Sequence, residues 1–74
     1  MEDRIRAILA DVLDLDAASV SERTGVKNTA NWDSLNHLNL CLAIEQEFGI
    51  ALEIEEMESM TTYGDILAVL KKKV

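Results

Sequence analysis

The chain has 74 residues, 49% of them hydrophobic but only 4% aromatic, and its seven basic and fourteen acidic side chains give a formal charge of −7. A chain this short forms one domain, residues 1–74, that buries about 60% of its unfolded surface and has little room for an enclosed active site. It is too apolar for a disordered tail and too acidic for nucleic acid or anionic lipid, and with few aromatics its core falls to Leu, Ile, Val and Met, as in a small all-α bundle.

Ile5, Ile8, Leu9, Val12 and Leu13 recur at three- and four-residue steps, with Arg4, Arg6 and Asp11 between them. The spacing predicts a first helix over roughly residues 3–14. From Leu15 to Trp32 the periodicity lapses into Ser19, Ser21, Thr24, Gly25, Asn28, Thr29 and Asn31. This predicts a long first loop, pinned to the bundle by Leu15, Val20 and Val26. Loops beyond about 12–15 residues in a compact domain are usually functional or disordered. Trp32, at its end, is expected as a semi-exposed apolar contact.

A second helix is predicted over residues 34–48, stopped by Gly49 in the left-handed conformation. At about 100° per residue, Leu40, Cys41, Ile44 and Phe48 share one arc, while Leu35, Leu38 and Leu42 share an adjoining one. Together they span about 220°, and packing against one neighbour needs little more than about 100°. Part of this surface must meet a second helix of the bundle or a visiting protein. Residues 53–58 predict one short helix anchored by Ile54 and Met57, its glutamates near the N-terminus where the dipole favours them. Thr62 and Asp65 form an Asp-for-Glu capping box that opens a last helix with Tyr63, Ile66, Leu67 and Leu70 as its stripe. Lys71, Lys72 and Lys73 are expected to offset that helix's C-terminal dipole.

Between Asn28 and Leu70 there is no Lys or Arg, while Asp33, Glu45, Glu47, Glu53, Glu55, Glu56, Glu58 and Asp65 all lie there. Such a half repels nucleic acid and attracts basic protein surfaces. The single Cys41 excludes an internal disulfide and a multi-Cys zinc cluster, and reads as a small buried hydrophobe. Met1-Glu2-Asp3 begins no signal peptide, and no apolar run is long enough to insert into a membrane, so a cytoplasmic protein is expected. Asp14-Leu15-Asp16 lacks the glycine and distal glutamate of a calcium loop. Ser34 and His37, three residues apart, lack the orienting third group and oxyanion donors of a catalytic triad.

One site stands out. Asp33, directly before a helical run, can cap it and leave Ser34 on an exposed first helical position, where the dipole favours an attached phosphate by about 0.3–1 kcal/mol. Ser34 reads as an attachment point. Trp32-Asp33-Ser34-Leu35 near mid-chain is followed by Ala43-Ile44-Glu45-Gln46-Glu47-Phe48-Gly49-Ile50, an acidic stretch, and Met60-Thr61-Thr62 before the final helix. In that order and spacing the whole chain resembles the acyl carrier proteins. The resemblance implies a four-helix bundle with a long first loop and a short third helix, and no enzymatic activity of its own. It implies that Ser34, between Asp33 and Leu35, receives 4′-phosphopantetheine from coenzyme A through a phosphopantetheinyl transferase. The thiol of that arm, not Cys41, would hold the acyl group.

The resemblance also implies partners: a loading ligase for acyl or aminoacyl groups, and acyltransfer enzymes with basic docking surfaces. Carriers of fatty-acid synthesis usually place acidic residues just after Asp-Ser-Leu, and here Asn36 and Asn39 stand at the matching positions. Docking is therefore expected to use Leu35, Leu38 and Leu42, with Glu45, Glu47, Glu53, Glu55 and Glu56 as the electrostatic rim. Asn31 stands where a Gly is often found, and Asn tolerates left-handed geometry. The reading is a discrete, monomeric acyl carrier of a fatty-acid-like, polyketide-like or other specialised pathway. The alternatives are an aminoacyl carrier of the peptidyl or D-alanyl type, and an unmodified acidic helical module that docks a basic partner.

Overall fold

A computed structural model describes residues 2–73. Its helices are α1 (Glu2–Leu13), α2 (Ser34–Phe48), α3 (Ile54–Ser59) and α4 (Tyr63–Lys73), with one 3₁₀ turn at Ala17–Ser19 inside the first loop. This is the expected four-helix architecture. The described residues measure 26 × 23 × 18 Å along their principal axes.

α1 and α2 end in the same way. Leu15 N–H donates to Ala10 O at 2.9 Å across Asp14 (φ 55°), and Ile50 N–H donates to Glu45 O at 3.2 Å across Gly49 (φ 63°). Each is a six-to-one bond over a left-handed residue, which satisfies a carbonyl that the helix leaves orphaned. Gly49 adopts this conformation freely; Asp14 is one of the few side chains that tolerate it.

The core gathers Ile5, Leu9 and Leu13 of α1, Leu40, Cys41 and Ile44 of α2, and Tyr63, Ile66, Leu67 and Leu70 of α4. Met60, Leu52, Val20 and Trp32 complete it from the connections. The stripes expected on α1 and α4 are therefore the ones that meet. Tyr63 ties the two helices further, its hydroxyl donating to Glu2 O at 3.1 Å and its ring lying 5.5 Å from the Arg6 guanidinium carbon. Burial pushes the Tyr63 phenol above its ordinary range, an effect that Arg6 partly opposes.

The loop is held differently from the expectation. Val20 is buried and Leu15 packs against the core, but Val26 is 41% exposed. Backbone bonds do the work assigned to it: Val26 N–H to Thr61 O at 3.0 Å, Tyr63 N–H to Thr24 O at 2.8 Å and Gly64 N–H to Glu22 O at 3.2 Å. The first two form an isolated antiparallel bridge between Gly25 and Thr62. A Cβ on Gly25 would fall 2.5 Å from the Thr61 carbonyl oxygen, so only glycine permits the approach.

Two other expectations need correction. Ile54 is not an anchor of α3: it is 72% exposed, because Met57 takes the inward side of this six-residue helix and the fully buried Met60 follows just past its end. The capping box of α4 is half made. Thr62 Oγ1 accepts the Asp65 N–H at 3.0 Å, but the Asp65 carboxylate accepts the Thr61 hydroxyl at 2.9 Å instead of reaching back. Lys73, in the last turn with Lys71 and Lys72 as expected, also reaches out of its helix, donating to Ala51 O at 2.8 Å and pairing with Glu56 of α3 at 3.0 Å.

Candidate functional site

The start of α2 is built by side chains that satisfy its open N–H groups. Asp33, in an extended conformation, is the N-cap, and its Oδ1 accepts the Asn36 N–H at 2.9 Å. Ser34 follows as the first helical residue and is exposed. The approach to it is fixed by two asparagines. Asn31 Nδ2 donates to Leu13 O at the end of α1 (2.9 Å), and Asn36 Nδ2 donates to Asn31 O (2.8 Å). Asn31 does not adopt a positive φ; its contribution is this side-chain tether to α1.

Trp32 is not semi-exposed. It keeps 3% of its surface and enters the core, because its one polar atom finds a partner: Nε1 donates to His37 Nδ1 at 3.0 Å, with the rings 26° from parallel and 6.2 Å apart. His37 Nε2 meets Met57 O of α3 at 2.7 Å. Both imidazole nitrogens are thereby engaged, which removes His37 as a base for Ser34. Sequence reasoning missed this bridge. The signal was a lone indole donor five residues before a lone imidazole across a helix start.

Beside Ser34 opens a cleft of about 450 Å³ lined by Trp32, Asp33, His37 and Val26 on one side and by Glu58 and Thr61 on the other. A smaller one of about 350 Å³ lies within the loop, between Leu15, Arg23 and Asn31, and does not include Ser34. No Lys or Arg lines the cleft at Ser34, and its charges are the carboxylates of Asp33 and Glu58. Cys41 is buried, and desolvation followed by the nearby Glu45 pushes its thiol above the ordinary range, leaving it a poor nucleophile.

Leu35, Leu38 and Leu42 stand exposed on α2, joined on α3 by the unexpected Ile54. Two glutamates of the expected rim also bond within the fold. Glu45 Oε2 accepts the Leu52 N–H at 2.8 Å, and Glu56 Oε1 accepts the Glu53 N–H at 2.8 Å while pairing with Lys73. Those bonds draw Glu45 and Glu56 into the fold, and the Glu53 N–H, then Lys73, hold the Glu56 carboxyl below its ordinary range. Glu47 is exposed and pairs with Arg4 at 3.3 Å, while Glu53 and Glu55 face solvent.

The family described as "Phosphopantetheine attachment site" matches residues 3–70. The chain belongs to the acyl carrier protein family. An acyl carrier protein of Thermosynechococcus vestitus is 35% identical over 72 residues, spanning 97% of this chain and 89% of that one. The acyl carrier protein of Chlamydia felis is 29% identical, spanning 99% and 94%. A solved structure from Mycobacterium tuberculosis, of a candidate acyl carrier protein, superposes with a TM-score of 0.87 at 23% identity, covering 99% of this chain and 97% of that one; it establishes the fold. The chain is thus a carrier and not an enzyme, its prosthetic group is 4′-phosphopantetheine, and it works through partner enzymes. The described residues suit such a group, offering an exposed hydroxyl at a helix start with an open cleft beside it. No helix among them is long and apolar enough to cross a membrane.

Proposed function

We propose that Ser34 carries the arm, its Oγ joined to 4′-phosphopantetheine in a phosphodiester for which coenzyme A is the donor and a phosphopantetheinyl transferase the catalyst. The observation that carries this reading is the exposure of Ser34 at the first turn of α2, behind the Asp33 cap. When bound, the group supplies a terminal thiol on a flexible tether, which holds acyl cargo as a thioester. The protein's share is position. Asp33 fixes the helix start, Asn31 and Asn36 fix the loop before it, and the N-terminal N–H groups favour the phosphate. A tether on a small rigid domain turns encounters with successive active sites into reactions at high effective concentration.

We place the carrier in a specialised acyl pathway, fatty-acid-like or polyketide-like, rather than in bulk fatty-acid synthesis. Asn36, where such carriers usually have an acidic residue, is committed to the loop, and the surface next to Ser34 is leucine-rich. Partners would meet Leu35, Leu38 and Leu42 with apolar side chains, and Glu47, Glu53 and Glu55 with basic ones. A monomer in the cytoplasm fits the single buried thiol and the acidic surface.

Intact-mass analysis after incubation with coenzyme A and a broad-specificity transferase tests the assignment. The mass rises by one phosphopantetheine, and Ser34→Ala abolishes the gain. A gain that persists in Ser34→Ala sinks the reading.

A further inference from the structure

Trp32 and His37 form a unit that attachment at Ser34 does not by itself require. The indole Nε1 can only donate, so His37 Nδ1, 3.0 Å away, is a bare acceptor. The Met57 carbonyl can only accept, so Nε2, 2.7 Å away, holds the imidazole's one proton. Together the two bonds select a single neutral tautomer. A second proton has only Nδ1 to enter, where it would confront the indole N–H. Because Trp32 is buried, its donor would be left without an acceptor, which costs more than the bond was worth. The bonded groups sit on the loop, α2 and α3, and Trp32 and His37 line the cleft that contains Ser34.

We propose that His37 is a positioning residue for Ser34: its neutral imidazole fastens the loop end and α3 around the attachment cleft, and uptake of a second proton releases Trp32 and loosens that frame. The inference rests on Ser34 being the attachment residue, and it makes presentation of that residue to partner enzymes depend on pH. The titratable groups facing His37 are the carboxylates of Asp33, at the start of its own helix, and of Glu58 on α3, both in the same cleft. Cys41, one turn along α2, brings its Sγ to 3.9 Å from Nε2. Val26 and Thr61, from the loop and the α3–α4 connection, are neutral. The cleft lining holds no cation. The conflict therefore falls on the bond to Trp32.

The test uses the full chain as wild type, His37→Gln and Trp32→Phe. Trp32 is the sole tryptophan, so its emission reports the bond directly. Emission and the rate of coenzyme A-dependent mass gain are followed from about pH 8 to about pH 5.5, the window in which an imidazole takes up a proton. Wild-type emission shifts as one proton is taken up; in His37→Gln, whose amide can give and take a hydrogen bond but cannot titrate, it does not. Expressing modification as the ratio of His37→Gln to wild type cancels the transferase's own pH response. That ratio rises about fivefold toward acid, the equivalent of one net hydrogen bond, and the change lies in KM for the carrier rather than in kcat. If His37→Gln loses helicity by circular dichroism, Trp32→Phe, which keeps a ring but lacks the donor, replaces it in the modification ratio, the emission arm then being read on wild type alone. An emission titration that survives in His37→Gln, or a flat ratio, overturns the proposal. Absence of any mass gain in wild type at about pH 8 instead overturns the attachment reading, and the emission titration then judges the bond alone.

Discussion

α2 carries leucines and other apolar residues on two sides that meet opposite fates. Leu40, Cys41 and Ile44 are sealed completely, whereas Leu35, Leu38 and Leu42 are 68%, 51% and 47% exposed. Nothing in the residue types separates the two sets. The difference comes from what packs against each: the stripes of α1 and α4 cover the first arc, and the second is left beside Ser34. A contiguous exposed apolar surface is the usual mark of a contact for another protein. One helix is thus the bundle's keystone on one side and, in the docking proposed above, its outward handle on the other.

Replacing residues on either side separates those roles. The largest effect is expected inside, where Leu40→Ala or Ile44→Ala removes fully buried methyl groups and costs about 2–5 kcal/mol, read by chemical denaturation. For a domain whose total stability is on the order of 5–15 kcal/mol, that is a large fraction. A cost below about 1 kcal/mol would mean that this arc is not the core. Gly49→Ala, at the end that fixes how the helix joins the chain beyond, should cost about 1 kcal/mol from its positive φ alone, since an added Cβ meets nothing within 4 Å. Outside, Leu38→Ala or Leu42→Ala should change stability by no more than about 0.5 kcal/mol, yet raise KM for the carrier in modification or loading assays. An unchanged KM in both would show that the handle is not used.

Smaller effects follow from titration. The Cys41 thiol is raised above its ordinary value of 9.0 chiefly by burial, so on going alkaline the unfolded chain loses this proton first. Its contribution to stability is full below that value and declines above it, where the denaturation midpoint should begin to fall; Cys41→Ala should weaken that alkaline decline. Glu56 works in the opposite direction. Its carboxyl is lowered first by the Glu53 N–H and then by Lys73, so its contribution is present above the ordinary carboxylate range and lost as pH falls through the depressed value. Glu56→Gln should make melting slightly less acid-sensitive, the faintest of these effects because the pair sits at the surface, only partly shielded from water.

The parts of the molecule legible in the sequence are those set by near neighbours. Asp33 before Ser34, Gly49 after Phe48 and the stripe from Tyr63 to Leu70 each declare themselves within one or two helical turns. What escaped depends on partners far along the chain. Trp32 looked like a loop aromatic, and its burial needs His37 held in turn by Met57, 20 positions further on. Val26 was taken for a hydrophobic pin because its backbone tie to Thr61 leaves no trace in side-chain pattern. Ile54 fits a helical stripe as well as Met57 does, but a helix of one and a half turns has only one inward position to fill. At the site itself, Asp33, Ser34 and the exposed leucines were readable. The inward use of Glu45 and Glu56 was not, since nothing in the sequence distinguishes them from nearby Glu47, Glu55 and Glu58.

The bridge at Gly25 has a consequence for how the carrier moves. It joins the middle of the long connection to residues that immediately precede the last helix, so that segment cannot peel away unless the C-terminal part of the fold also lets go. Hydrogen exchange at the Val26 and Tyr63 amides should accordingly proceed through one shared opening event. A long loop here is a strut, and the swing needed to visit one enzyme after another is left to the prosthetic arm.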